Sequence, residues 1–150
     1  MTNLGVFRDD VYNPIAILPG AQYKTTTQNA GTLAATLFVG AQENYVAASG
    51  NTTAQAITTD TAANIIAAAA SALQSKATGF QPNANNLLNL VFVVTIINNN
   101  TSSGAITLTG GTGVTITGTN TIAITTSRQF LVTITGSTTV SFQNIGSGTP

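Results

Sequence analysis

The sequence predicts a mainly β fold. The expected form is an antiparallel β-sandwich or barrel-like (jelly-roll-like) domain over 31–150, with one α-helix at about 59–76. An extended N-terminal arm over 1–30 precedes it, and a short flexible C-terminal tail ends it. Three observations carry this expectation. The stretch ITLTGGTGVTITGTNTIAIT (106–125) alternates threonine with isoleucine, leucine or valine, which gives a strand one apolar and one polar face. Similar segments recur at about the eight-to-twelve-residue spacing of sandwiches and barrels. A single run, TTDTAANIIAAAASALQSK (58–76), carries apolar residues at helical spacing instead.

Residues 1–30 read differently from the rest. They hold half of the chain's charges, in Arg8, Asp9, Asp10 and Lys24, and two prolines, Pro14 and Pro19. Pro14 pushes Asn13 toward an extended backbone, and the Pro19–Gly20 pair signals a turn. Val6, Phe7, Tyr12, Ile15, Ile17 and Leu18 make the segment too apolar for a disordered tail. Two readings fit: an arm that docks onto a partner, or an edge strand that closes the domain's own sheet.

From Thr32 onward the pattern changes. TLAATLFVG (32–40) and NYVAAS (44–49) are strand candidates separated by a polar turn. In the helix, Thr59 is the expected N-cap, with Asp60 and Thr61 in the first turn, where a carboxylate suits the helix dipole. Ile65, Ile66, Ala69, Ala72 and Leu73 form the apolar stripe, Lys76 lies near the end, and Gly79 is the expected C-cap. GFQPNANN (79–86) is loop by composition. NLVFVVTIINN (89–99) is apolar on both faces, with Phe92, Val94 and Ile96 on one and Val91, Val93 and Ile97 on the other. That pattern predicts a central or doubly covered strand. GAITLTG (104–110), GVTITG (113–118), NTIAITT (120–126), RQFLVTIT (128–135) and TTVSFQN (138–144) follow. The breaks GGTG (110–113), GTN (118–120) and GST (136–138) read as tight hairpin turns in a β-meander.

The composition excludes several kinds of chemistry. Histidine and cysteine are absent, so triads, thiolate catalysis, disulfides and zinc sites that need them are ruled out, and the compartment stays open. The acids are Asp9, Asp10, Glu43 and Asp60, and none belongs to a recognisable catalytic motif. Asp60 reads as a helix-start residue, because it has no second acid nearby. RDD (8–10) reads as a solvated or interchain ion-pairing cluster better than as a cation site. GGTGVTITG lacks the GK[ST] ending of a phosphate loop and opens a strand, so no cofactor, metal or catalytic residue is expected. The sequons at Asn51, Asn99 and Asn100 matter only in a eukaryotic secretory setting.

Charged residues make up only 5% of the chain and net charge is zero, against about 25% charged in ordinary soluble domains. The four cations Arg8, Lys24, Lys76 and Arg128 are scattered, which argues against nucleic acid. The apolar run LLNLVFVVTII (87–97) is shorter than the about 20 residues that cross a membrane, and no secretory signal is expected. Low charge and zero net charge favour self-association. Arg128 reads either as an exposed strand start or as a partner-facing charge. Leu131 puts apolar surface on the second face of its strand, to be covered by the helix or by a neighbouring subunit.

One order of parts is specific. A TDTAANII helix start leads to a hydrophobic strand ending in asparagines. G-x-I-T-L-T-G-G-T-G-V-T-I-T-G, T-I-A-I, R-x-F-L-V-T-I-T and V-S-F-Q-N-I-G then follow. Over about residues 52–148 this resembles the small head decoration, or cement, proteins of tailed bacteriophages; related segments also occur in fibre-type phage proteins. The resemblance implies a homotrimer on the outer capsid surface of a virion, made in the host bacterial cytoplasm and bound to the major capsid protein. It would cement neighbouring capsomers against DNA pressure without catalysis. Val6, Phe7, Arg8, Asp9, Asp10, Tyr12, Ile15, Ile17, Leu18, Arg128 and Leu131 are the expected capsid or subunit contacts.

The alternative is a fibre or adhesin-like module that binds a host glycan or receptor. It is weakened by the lack of tryptophan and by the confinement of Tyr12, Tyr23 and Tyr45 to the first third. An enzyme is the poorest fit. Deleting residues 1–20 is expected to weaken attachment to bare capsids while leaving the β domain folded. Unchanged binding in a capsid pull-down would remove the arm reading.

Overall fold

A computed structural model describes residues 24–27, 31–39, 43–48, 53–74, 87–101 and 103–149. Period-2 alternation does there what it requires: every second residue of a strand turns inward. On β5 (Val91–Asn98) the inward row is Phe92, Val94 and Ile96. On β9 (Thr126–Gly136) it is Phe130, Val132 and Ile134, and on β10 (Thr139–Gly148) it is Val140 and Phe142. These strands belong to a six-stranded sheet, ordered β1-β3-β5-β9-β10-β7, with β1 at Lys24–Thr27, β3 at Glu43–Ala48 and β7 at Val114–Thr117.

A second, four-stranded sheet runs β2-β4-β6-β8, with β2 at Gly31–Leu33, β4 at Gln55–Thr59, β6 at Ile106–Thr109 and β8 at Thr121–Ile122. Leu33, Ile57, Ile106, Leu108 and Ile122 from this sheet share one buried cluster with the inward row of the larger sheet. Among the described residues the chain is therefore mainly β, with two sheets in a sandwich-like arrangement and no closed barrel. Strand direction is mixed. The pairs β1–β3, β3–β5, β2–β4, β4–β6 and β7–β10 run parallel, whereas β5–β9, β9–β10 and β6–β8 run antiparallel. β5 is central, as its two apolar faces require.

Four expectations are corrected. TLAATLFVG is not a strand beyond Leu33. Its Ala35 N–H goes to the Asp60 carboxylate at 3.0 Å, and a short helix, α1 (Ala35–Phe38), follows. That turn sets Phe38 in the core, 6.0 Å from the Phe92 ring and edge-on to Phe142 at 5.9 Å. The long helix, α2, spans Ala62–Gln74, and its N-cap is Thr61, whose Oγ1 accepts the Asn64 N–H at 3.3 Å. Thr59 ends β4 instead; Lys76 and Gly79 lie outside the described residues.

The third correction concerns 106–125, which is not a meander. β6 and β8 lie in the small sheet and β7 in the large one, so GGTG and GTN carry the chain between sheets. Only GST, between β9 and β10, turns a hairpin. NTIAITT is likewise two strands: Thr125, at φ 53°, breaks it. A β-branched residue in the left-handed region is strained, and here the bend sends the chain from β8 into β9. Within the stretch read as an arm, Lys24–Thr27 forms the edge strand β1. Val6, Phe7, Arg8, Asp9, Asp10, Tyr12, Ile15, Ile17 and Leu18 lie outside the described residues.

The asparagines at and just beyond the end of β5 fasten the sheets. Asn98 is fully buried; its Nδ2 donates to the Gly104 and Ile122 carbonyls at 2.9 and 3.1 Å, and its Oδ1 accepts the Asn100 N–H at 3.1 Å. Asn100 is also buried and donates to Gly104, which makes its sequon unreachable in the folded chain. Asn98→Ala strands a buried carbonyl and a buried N–H, so it is expected to cost about 2–4 kcal/mol in a denaturant melt. A loss below about 1 kcal/mol would mean that water replaces the amide.

Candidate interaction surface

Asp60 and Arg128 are charged residues whose side chains make defined hydrogen bonds. Asp60 joins three elements at the start of α2. Its Oδ2 accepts the Ala35 N–H, and its Oδ1 accepts the Thr61 N–H at 2.8 Å and the Asn64 amide at 2.6 Å. Burial pushes this carboxyl up. The hydrogen bonds from Ala35, Asn64 and Thr61 favour the charged form and more than offset it, holding the group below its ordinary value. Thr59 Oγ1 accepts the Gly111 N–H at 2.9 Å, and Ala62 N–H donates to the Thr112 carbonyl at 2.9 Å.

The glycines of GGTG are required by this contact. A Cβ on Gly111 would lie 2.5 Å from the Thr59 carbonyl oxygen, and one on Gly113, at φ +78°, would lie 2.5 Å from that of Thr138. The loop clasps the first turn of α2. Among the described residues there is no group of three or more acids that could hold a metal. The Asp60 carboxylate is engaged by donors from Ala35, Thr61 and Asn64.

Arg128 stands on β9 with the same parity as Phe130. Its Nε donates to the Thr121 carbonyl at 2.6 Å, which ties the large sheet to β8 of the small one. The side chain is half-buried, and this bond adds a role that neither sequence reading contained.

Leu131 lies on the opposite face of β9, half-buried and in register between Val93 of β5 and Gln143 of β10. The apolar stripe of α2, Ile65, Ile66, Ala69 and Leu73, joins the inward cluster with Phe92. The helix therefore does not cover Leu131. Val91 beside it is 41% exposed, and Val93 is half-buried. The outer face of the large sheet is consequently part-apolar at this end: Leu131, Val93 and Val91 stand among Thr133 and Gln143, and Glu43 of β3 is in register with Val93.

Ile145 is a residue that sequence reasoning missed. It is 49% exposed because a β-bulge falls between Asn144 and Gly146, leaving it without a partner on β9. Bulges follow from pairing, so no local pattern announces one. Val91 was legible as one member of a two-faced apolar strand, though which face stays open was not. A scan of family models, curated proteins and solved structures finds no match to this chain.

The lowered Asp60 value has a definite sign for stability. Its contribution is fully present above the unfolded carboxylate value, near about 4, and is lost as pH falls through the lower folded value. Asp60→Asn turns an amide donor or leaves a weaker acceptor toward two N–H groups and the Asn64 amide. A loss of about 1–2 kcal/mol at neutral pH is expected, with a flatter acid limb than wild type. Identical acid limbs in pH-dependent melts would show that the carboxylate does not tie the elements as described.

Proposed function

We propose that the chain is a structural virion protein. It binds the outside of a bacteriophage capsid as a homotrimer and cements neighbouring capsomers against internal DNA pressure. Its partners are the major capsid protein and its own sister copies, and it works without catalysis, cofactor or metal. The observation that carries this reading is the part-apolar outer face around Leu131 and Val93, on a chain with only 5% charged residues. The helix leaves that face uncovered, which favours a subunit as its cover.

The motif order over about residues 52–148 supplies the phage context, and the physics of a lattice agrees with it. Threonine and asparagine surfaces stay hydrated without long-range charge repulsion between crowded copies. Many weakly held copies bound side by side gain avidity from one another. A rigid scaffold tied by Asn98, Asp60 and Arg128 would transmit load across a seam without deforming.

Two measurements test this. Copy number relative to the major shell protein in purified particles is expected to be comparable with that protein's; a few copies per particle would move the chain to a fibre. Leu131→Asp is expected to raise the dissociation constant of the oligomer about tenfold or more, equal to at least about 1.4 kcal/mol, with the monomer still folded by circular dichroism. An unaltered oligomer in sedimentation would mean the Leu131 face is open to solvent.

A further inference from the structure

The other end of the same outer face is polar and concave. A groove of about 390 Å³ runs there across β5, β9 and β10, and Thr95, Ile97, Ser127, Gln129 and Ser147 help to line it. That volume falls in the range of small-molecule sites, about 300–1,000 Å³. Two glycines open it. Beyond the bulge, Gly146 stands in register with Gln129 and Gly148 with Ser127. Neither is demanded by the backbone: a Cβ at these positions would meet Gln129 Oε1 at 3.9 Å and Ser127 Oγ at 3.5 Å, ordinary contact distances. Their effect is to leave the trough empty of side chains.

The chemistry of the lining is narrow. Among the described residues no charged side chain lines it, so these residues offer phosphate, carboxylate and metal ligands no counter-charge. Hydroxyls and one amide supply donors and acceptors together, and Ile97 supplies an apolar wall. Thr95 is the independent sign of an absent partner. It is 3% exposed, and its Oγ1 has no hydrogen bond. A buried, unpaired hydroxyl is costly and rare in folded proteins. Gln129, the register neighbour of Thr95, is half-exposed.

We propose that this groove binds a neutral, hydroxyl-rich ligand, the pyranose ring of an uncharged glycan. Ring hydroxyls pair with Gln129, Ser127 and, once Gln129 has turned, with Thr95; the C–H face of the sugar lies against Ile97. The site is independent of the lattice role, and either can fail without the other.

The test is a titration of the full chain, followed by amide NMR shifts, with glucose, galactose and N-acetylglucosamine as probes. Inorganic phosphate and glucuronate serve as charged controls. The expected result is saturable shifts at Ser127, Gln129 and Ser147 with at least one neutral sugar and none with the charged probes. Thr95→Val and Gln129→Ala are each expected to weaken that binding about fivefold or more. Thr95→Val, which keeps shape and removes the orphan hydroxyl, is expected to melt no lower than wild type. Silence toward all three sugars overturns the proposal, as does equal response to the charged probes or binding unchanged in both variants. A lower melting point for Thr95→Val would show the hydroxyl to be structural and would overturn its part in the site.

Discussion

Residue 60 is where β4 must stop and α2 must start, and neither backbone pattern can satisfy the other's N–H groups there. The Asp60 carboxylate takes them. By accepting the Ala35 N–H it also ends β2 and starts α1, which delivers Phe38 to the core. Thr59 and Ala62, on either side, hold the glycine loop that leads to β7. Hydrophobic burial, at about 25 cal/mol per Å², supplies most of the driving force, but it has no direction. It does not say which sheet a threonine–isoleucine strand joins. The directional bonds around Asp60 do.

The same division of labour recurs where the chain crosses between sheets. The strands from β6 to β9 visit the small sheet, the large one, the small one and the large one again. The crossings around β8 are pinned by polar side chains on main-chain carbonyls, Asn98 on Ile122, Asn120 on Leu108, Asn144 on Thr119 and Arg128 on Thr121, while the crossing from β6 to β7 is held by the Gly111 N–H on Thr59 Oγ1. Asparagine suits this work because its amide reaches a carbonyl without bringing a charge that burial would penalise. The asparagine-rich, charge-poor composition is thus a consequence of the topology as much as of the surface.

The large sheet then has two unlike faces. The inner one is filled by phenylalanines and β-branched residues. The outer one divides along its strands, part-apolar around Leu131 and Val93, and polar and trough-like around Gln129 and Ser127.

The sequence by itself determined the class of the fold, the existence of one long helix, the central place of β5 and most inward rows, because a period of 2 or 3.6 is a local property that burial reads directly. It also determined what chemistry is missing, since an absent histidine or cysteine cannot be supplied by folding. Tertiary structure decided the rest. GGTG looks like a hairpin turn until the carbonyls of Thr59 and Thr138 are seen where a Cβ would go. TLAATLFVG looks like a strand until Asp60, distant in sequence, captures the Ala35 N–H. Leu131 and Val91 are open on one side, and Ile145 is pushed outward, only because of which strands lie beside them. Pairing partners, parallel or antiparallel, are chosen by contacts between residues far apart in the chain, and no window of sequence contains both members of such a contact.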